Sequence, residues 1–194
     1  MARMVSMIRH HFVALRFVGA FLLVSAVSPL AIARAEPAAR AGPAAPELVL
    51  AFEAHVLLGT PLEVGRVPRG RRRVIPIVGG TFEGAGLKGR VLSGGADWQI
   101  VRDDGFAELD TRYALETEKG QIIYVQNAGV RRAPPEIMAQ LLAGQPVNPA
   151  LVYFRTVPTF ETAAPELQWL TRSVFIGSGE RNPSVVVIRF WRVE

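Results

Sequence analysis

From residue 48 to the C-terminus, hydrophobic positions recur mostly every second residue, in short runs that end at glycine-rich turns. A period of two is the strand period, because successive Cβ atoms point to opposite faces of a sheet. The predicted strands are Leu48–Leu58, Arg73–Val78, Leu87–Leu92, Trp98–Arg102, Phe106–Thr117, Gln121–Asn127, Leu151–Phe160, Leu167–Ile176 and Val185–Val193. Gly79-Gly80, Ser93-Gly94-Gly95, Asp103-Asp104-Gly105 and Glu118-Lys119-Gly120 separate them, and the Asp-Gly step tolerates the positive φ of a hairpin turn. One segment breaks the rhythm. Pro134–Leu142 carries apolar residues at 137, 138, 141 and 142 on one helical face, with Pro in the first turn and Gly144 as its stop. About nine strands, one short helix and no βαβ alternation predict an all-β protein, a single antiparallel barrel or sandwich. The long, β-branched last run is expected to lie against the first and close the sheet.

The N-terminal part has a different pattern. Arg3, Arg9, His10, His11 and Arg16 precede a largely apolar run from Phe17 to Ile32, and Ala33-Arg34-Ala35 then puts small residues where a signal peptidase reads them. The run is shorter than the roughly 20 residues a spanning helix needs, and Ser25, Ser28 and Pro29 weaken it. Residues 1–35 are therefore expected to be a cleaved signal peptide, with the protein periplasmic or secreted and no stable membrane span after cleavage. No Cys follows the run, which argues against a lipoprotein, and no Arg-Arg pair precedes it, which favours the general secretory route. Residues 36–46 are a Pro/Ala linker expected to be disordered, and residues 47–194 form the barrel domain.

Charge looks informative until the leader is set aside. The 194 residues carry 22 Lys and Arg against 17 Asp and Glu, a formal +5. Four of those arginines and no acid lie in residues 1–35, so the remainder is close to neutral, at +1. That argues against nucleic acid as a partner. The surviving basic cluster, Arg69-Gly70-Arg71-Arg72-Arg73, follows Pro68 without interleaved aromatics and reads as a solvated loop rim. Cysteine is absent, which excludes disulfides, thiolate metal sites and a cysteine nucleophile. His55 is the one histidine beyond the leader, so no His-rich metal site is expected. No Gly-x-Ser-x-Gly elbow accompanies it, and Gly84-Ala85-Gly86 lacks the helix and Lys of a phosphate loop. No cofactor is expected.

Several blocks carry more specific information. They include Ile75-Pro76-Ile77-Val78-Gly79-Gly80-Thr81-Phe82-Glu83-Gly84, Gly89-Arg90-Val91-Leu92-Ser93-Gly94-Gly95-Ala96-Asp97-Trp98 and Leu109-Asp110-Thr111-Arg112-Tyr113. Gly120-Gln121-Ile122-Ile123-Tyr124-Val125, Tyr153-Phe154-Arg155-Thr156-Val157-Pro158-Thr159-Phe160-Glu161-Thr162 and Trp169-Leu170 complete the set. In this order and spacing the chain resembles the domain-of-unknown-function family 3237, also called uncharacterised protein family 0311, over nearly all of residues 47–194. The resemblance implies a compact, calycin-like antiparallel barrel and no established activity.

The candidate chemistry follows from these blocks. Asp97 comes after three small residues and before Trp98, so its carboxylate could sit in an apolar pocket as an acid/base, or simply hydrogen-bond the Gly-Gly turn. Arg112 shares a strand face with Asp110, opposite Leu109, Thr111, Tyr113 and Leu115. Alternation alone puts Arg112 on a wet face; its place in a family block implies an inward anion clamp. Tyr124 and Asn127 lie on opposite faces of their strand, and Tyr124 reads as a core residue with a satisfied hydroxyl. Arg155 and Glu161 flank Pro158 and would meet if the strand bends there. Trp169 is the better ligand-contact candidate of the later tryptophans. The expectation is that Asp97, Arg112 and Arg155 point into the barrel, with Asp97 and Glu161 as acid/base and Trp98, Arg112, Tyr124, Arg155 and Trp169 around a ligand. Two functions compete: an exported small-molecule-binding barrel, and a cofactor-free isomerase, cyclase or lyase. A small-molecule ligand is the expected partner, and a homo-oligomer is compatible with the same sequence. Converging carboxylate and guanidinium groups would favour the enzyme; a purely apolar cavity would favour binding.

Overall fold

The computed structural model describes residues 42–194. The expected signal peptide and most of the expected linker lie outside those residues. No helix among the described residues is long and apolar enough to cross a membrane.

Ten strands form one antiparallel sheet: β1 (Leu48–Leu58), β2 (Leu62–Val67), β3 (Gly70–Gly84), β4 (Leu87–Val91), β5 (Ala96–Val101), β6 (Ala107–Thr117), β7 (Ile122–Arg132), β8 (Tyr153–Glu161), β9 (Phe175–Arg181) and β10 (Val185–Val193). β1 pairs with both β10 and β3, which closes the ring. β4 and β5 run end to end in the slot between β3 and β6, and β2 lies outside the ring as a hairpin partner of β3. The result is a closed eight-strand antiparallel barrel with two extra strands and one short helix, α1 (Pro135–Leu142). Closure of the sheet by the last strand against the first follows the expectation.

Several strand boundaries differ from the sequence reading: β7 runs on from Asn127 to Arg132 and β3 begins at Gly70, and three further differences have local reasons. β2 is an additional strand, inconspicuous because Gly65 and Arg66 interrupt its apolar residues. β3 runs on through Gly79 and Gly80 rather than ending there. Their φ values of +149° and +138° bend the strand, and a Cβ at Gly80 would collide with the His55 carbonyl of β1. Leu167–Leu170 belongs to a 3₁₀ helix (Pro165–Leu170), and β9 starts only at Phe175. Pro165 opens that turn with its preset φ, and Leu167 and Leu170 are buried.

On β7 and β8 the alternation is close to strict. The inward residues of β8 are Phe154, Thr156, Pro158 and Phe160, and those of β7 are Ile123, Val125, Asn127, Gly129 and Arg131. One end of the interior is filled by Phe52, Phe82, Phe160, Phe175 and Phe190, with ring centroids between 4.6 and 5.9 Å apart. The 3₁₀ helix covers that end, and Trp169 packs on Phe175 at 5.9 Å.

Candidate functional site

The other end of the interior is built differently. Cross-strand registers carry one ring of inward positions around the barrel: Val56 faces Val186, Val186 faces Arg181, Arg131 lies between Ala107 and Phe154, and Asp97 lies between Ile75 and Thr111. These residues enclose a cavity of ≈ 50 Å³. Its apolar wall includes Val56, Leu58, Ile75, Ile77, Val186 and Ile188; its polar wall includes Asp97, Gln99, Tyr113, Asn127, Arg131 and Arg181. Two inward glycines of β9 make room for this wall. A Cβ at Gly177 would strike the Thr156 hydroxyl, and one at Gly179 would strike the Phe154 ring.

Asp97 is the carboxylate of the cavity. Its Oδ2 accepts a hydrogen bond from Gln99 Nε2 at 2.7 Å, and its Oδ1 accepts one from the Asp110 backbone N–H at 3.1 Å. Burial disfavours the anion and pushes the Asp97 carboxyl above its ordinary value of 3.8, against the pull of Gln99, the Asp110 N–H, the Arg131 charge and Thr111. Both readings of Asp97 drawn from sequence thus meet in one place: it faces the cavity and also bonds locally, to β6 rather than to the Gly-Gly turn.

Arg131 lines the same cavity, its charge acting on Asp97, and is 4% exposed. Its Nε has no hydrogen-bond partner among the described residues, and its guanidinium lies 5.9 Å from the Phe154 ring centroid. Burial lowers its pKa from 12.5 to about 10; the Asp97 charge opposes that shift, and Arg181 and Arg73 reinforce it. Arg181 donates from Nη1 to the Asn182 carbonyl at 2.6 Å. Arg73 is buried on the inward face of β3, 3.6 Å from Glu63. It departs from the expected solvated rim, which holds for Arg69 and Arg71: these are exposed and paired with Glu108 and Glu63. The difference is depth along the strand, since Arg71 has the same phase as Arg73 but lies one step nearer the β2–β3 turn. Arg73, Ile75 and Ile77 share one face of β3. Gln99 Oε1, Tyr113 Oη, Asn127 Oδ1, Thr156 Oγ1 and Arg73 Nε are also buried without a hydrogen-bond partner among the described residues. With nothing but burial acting on it, the Tyr113 hydroxyl is held well above the usual phenol range.

The structure brings Asp97 to this cavity and places the other residues singled out from sequence elsewhere. Arg112 is on the outer face, paired with Asp110 at 3.2 Å and lying 5.9 Å from the ring of Trp98, which is also exposed. Arg155 is outside as well, 5.3 Å from the Tyr153 ring centroid, with Nη1 donating to the Phe154 carbonyl at 2.8 Å. Tyr124 and Glu161 face each other across β7 and β8 on the solvent side, so Tyr124 is not the core residue expected; Ile123 and Val125 hold the inward phase there. Glu161 and Arg155 are six residues apart on a continuous strand, roughly 20 Å, so they do not meet. Trp169 belongs to the phenylalanine end. The inward expectation for Arg112 and Arg155 is likewise corrected: Thr111 and Tyr113, and Phe154 and Thr156, hold the inward phase of their strands. The two cavity arginines missed from sequence share one signal. Arg131 and Arg181 each sit at or next to a strand end, in phase with that strand's apolar or glycine face.

Comparison with known proteins gives the barrel its relatives. An uncharacterised-family-0311 protein of Rhodopseudomonas palustris strain TIE-1 is 46% identical over 137 residues, covering 71% of this chain and 90% of its own length. A relative from Clostridium acetobutylicum is 38% identical over 143 residues, 73% and 90% of the two chains. Among solved structures, a conserved protein of unknown function from Rhodopseudomonas palustris superposes with a TM-score of 0.75 at 40% identity, over 79% of this chain and 100% of that one. A β-barrel-like protein from Acinetobacter baumannii gives 0.70 at 41%, over 79% and 99%. An enzyme from Penicillium herquei shares the fold at a TM-score of 0.59 and 18% identity, over 79% and 98%. The match of residues 46–193 to the family model described as "Protein of unknown function (DUF3237)", with these relatives, shows that the chain belongs to that family.

Proposed function

We propose that the protein is an exported, small-molecule-binding barrel that performs cofactor-free proton transfer in its interior cavity, with Asp97 as the acid/base. The observation that carries this reading is the Asp97 carboxyl, held in a small, largely apolar cavity by two hydrogen bonds and destabilised as an anion by burial. A general acid or base works best when its pKa approaches the working pH, and burial moves a carboxyl in that direction. Arg131 and Arg181 in the same lining supply the positive charge that an enolate or similar anionic intermediate requires, and Tyr113 and Asn127 supply polar contacts. Export rests on the sequence pattern of residues 1–35, and places the activity in the periplasm or outside the cell.

The test uses hydrogen exchange. Acetone, pyruvate and acetoacetate are incubated with the protein in D2O, and loss of carbon-bound hydrogen is followed by proton NMR. Accelerated exchange that drops roughly 100-fold or more in Asp97→Asn supports the assignment. Exchange no faster than in buffer, or equal in both proteins, overturns it. N-terminal sequencing of exported protein tests the leader: the expected first residue is Glu36, and Met1 overturns export with cleavage.

A further inference from the structure

The cavity carries more positive charge than its own carboxylate can balance, and that imbalance names a ligand class. We propose that the cavity binds a small organic anion, a carboxylate of a few heavy atoms, with its charged end between Arg131 and Arg181 and its carbon end against Val56, Ile75, Ile77 and Ile188.

Three observations carry the inference, which rests on the reading that the interior cavity is the functional site. The first is the charge count. Arg131 and Arg181 line the cavity, and Arg73 lies close enough on the same interior for both to feel its field. Asp97 is the facing carboxylate; Glu63, which approaches Arg73 at 3.6 Å, is shared with the exposed Arg71 at 2.9 Å. A buried guanidinium left unneutralised is costly and calls for an anion. The second is hydrogen-bonding capacity. Arg131 Nε is a buried donor without a partner among the described residues, and the Tyr113 and Thr156 hydroxyls, also in the lining, are in the same condition. A carboxylate accepts from up to four donors, and a guanidinium matches its geometry in two parallel hydrogen bonds. The third is the aliphatic part of the lining. An aliphatic surface beside the cations suits a ligand with a hydrocarbon part and adds nothing for an inorganic ion. The volume of ≈ 50 Å³ restricts that part to a few carbons. The outer arginines Arg112 and Arg155 offer no competing inward site, because both lie on the solvent face.

Isothermal calorimetry at low ionic strength and pH 7 tests this with isosteric probes. Acetate and propionate are titrated against acetamide and propionamide, with inorganic phosphate as a third arm. The expected result is at least tenfold tighter binding of each acid than of its amide, and weaker binding of phosphate than of propionate. Arg131→Gln and Arg181→Gln should each lose at least tenfold in propionate affinity, whereas Asp97→Asn, which removes the competing negative charge, should strengthen it. Equal binding of acid and amide overturns the proposal, as does absence of binding by both acids or preferential binding of phosphate. The acid-to-amide comparison uses the unmodified protein, so it stands even if an arginine variant fails to fold. Failure of proton transfer with the acid preference intact removes the acid/base role alone. Asp97-dependent proton transfer without acid preference removes the anion site alone.

Discussion

The two ends of the barrel interior solve opposite problems with the same strands. At one end five phenylalanines stack edge to face and offset, sealed by the 3₁₀ helix, and contain no ionisable group. At the other, the inward positions change to Arg on β3, Asp on β5, Asn and Arg on β7, Thr on β8 and Gly and Arg on β9, and six buried polar atoms lack partners among the described residues. The phenylalanine end gains stability from every ring it buries. The polar end gives stability up, because desolvated charges are costly even when partly paired. Such a division places an apolar core and a polar cavity a few residues apart on strands such as β3, β8 and β9.

The sharpest way to test that division is to remove a ring. Phe52 is 1% exposed and touches Phe82, Phe160 and Phe190 at centroid distances of 5.9, 5.7 and 4.6 Å. Phe52→Ala should cost about 3–5 kcal/mol in urea denaturation. A loss near 1 kcal/mol would show that this end is not the stabilising half. Gly80→Ala should follow at about 2–4 kcal/mol, since it combines a strained φ with a collision against the His55 carbonyl where β1 meets β3.

The polar end should respond with the opposite sign. Burial holds the Arg131 pKa at about 10 instead of 12.5, so at neutral pH the folded state carries a charge it disfavours relative to the unfolded chain. Arg131→Met removes that charge and should raise stability by about 1–3 kcal/mol while abolishing carboxylate binding. Destabilisation by a similar amount would mean that Arg131 is a structural ion rather than a functional one. Asp97 gives the pH counterpart. Its folded pKa lies above 3.8, so the folded state holds the proton more tightly than the unfolded chain. The wild type should therefore lose stability as pH rises from 3.8 through the folded pKa of Asp97, and Asp97→Asn should lack that part of the decline. Parallel curves of urea midpoint against pH for the two proteins would refute this.

The barrel was legible from sequence because its evidence is spread over every strand: period-two patterning, Gly-rich turns and the family blocks all point the same way. The site was less legible. Asp97 stood out because small residues precede it, but its partners sit where patterning gives mixed messages. Arg73 is embedded in a basic run whose other members are exposed, and Arg131 precedes the exposed Arg132 in a dibasic step. Arg181 lies beyond the expected strand end at Ile176, and the β9 ladder to β10 is what carries the strand on to it. A block shared with relatives marks a strand; it does not say which of two neighbouring residues faces inward.

Arg112 is where that distinction can be measured, and it yields the smallest expected effect. The family block drew it inward, whereas alternation against Leu109, Thr111, Tyr113 and Leu115 kept it out, and it is out. Its guanidinium and the Asp110 carboxylate are each nearly half exposed, so water screens their attraction and little is gained by holding two flexible side chains together. The contact with Trp98, at 5.9 Å to the ring centroid, is at the far edge of a cation–π range and exposed as well. Arg112→Ala should therefore change stability by no more than about 0.5 kcal/mol and leave propionate affinity within error. Arg131, whose Cα is paired across β6 and β7 with Ala107 rather than with Arg112, should lose both the charge penalty and the ligand when it is replaced. An Arg112→Ala protein that binds propionate tenfold more weakly would mean that the outer face communicates with the cavity, and the separation of inner and outer chemistry on β6 would fall.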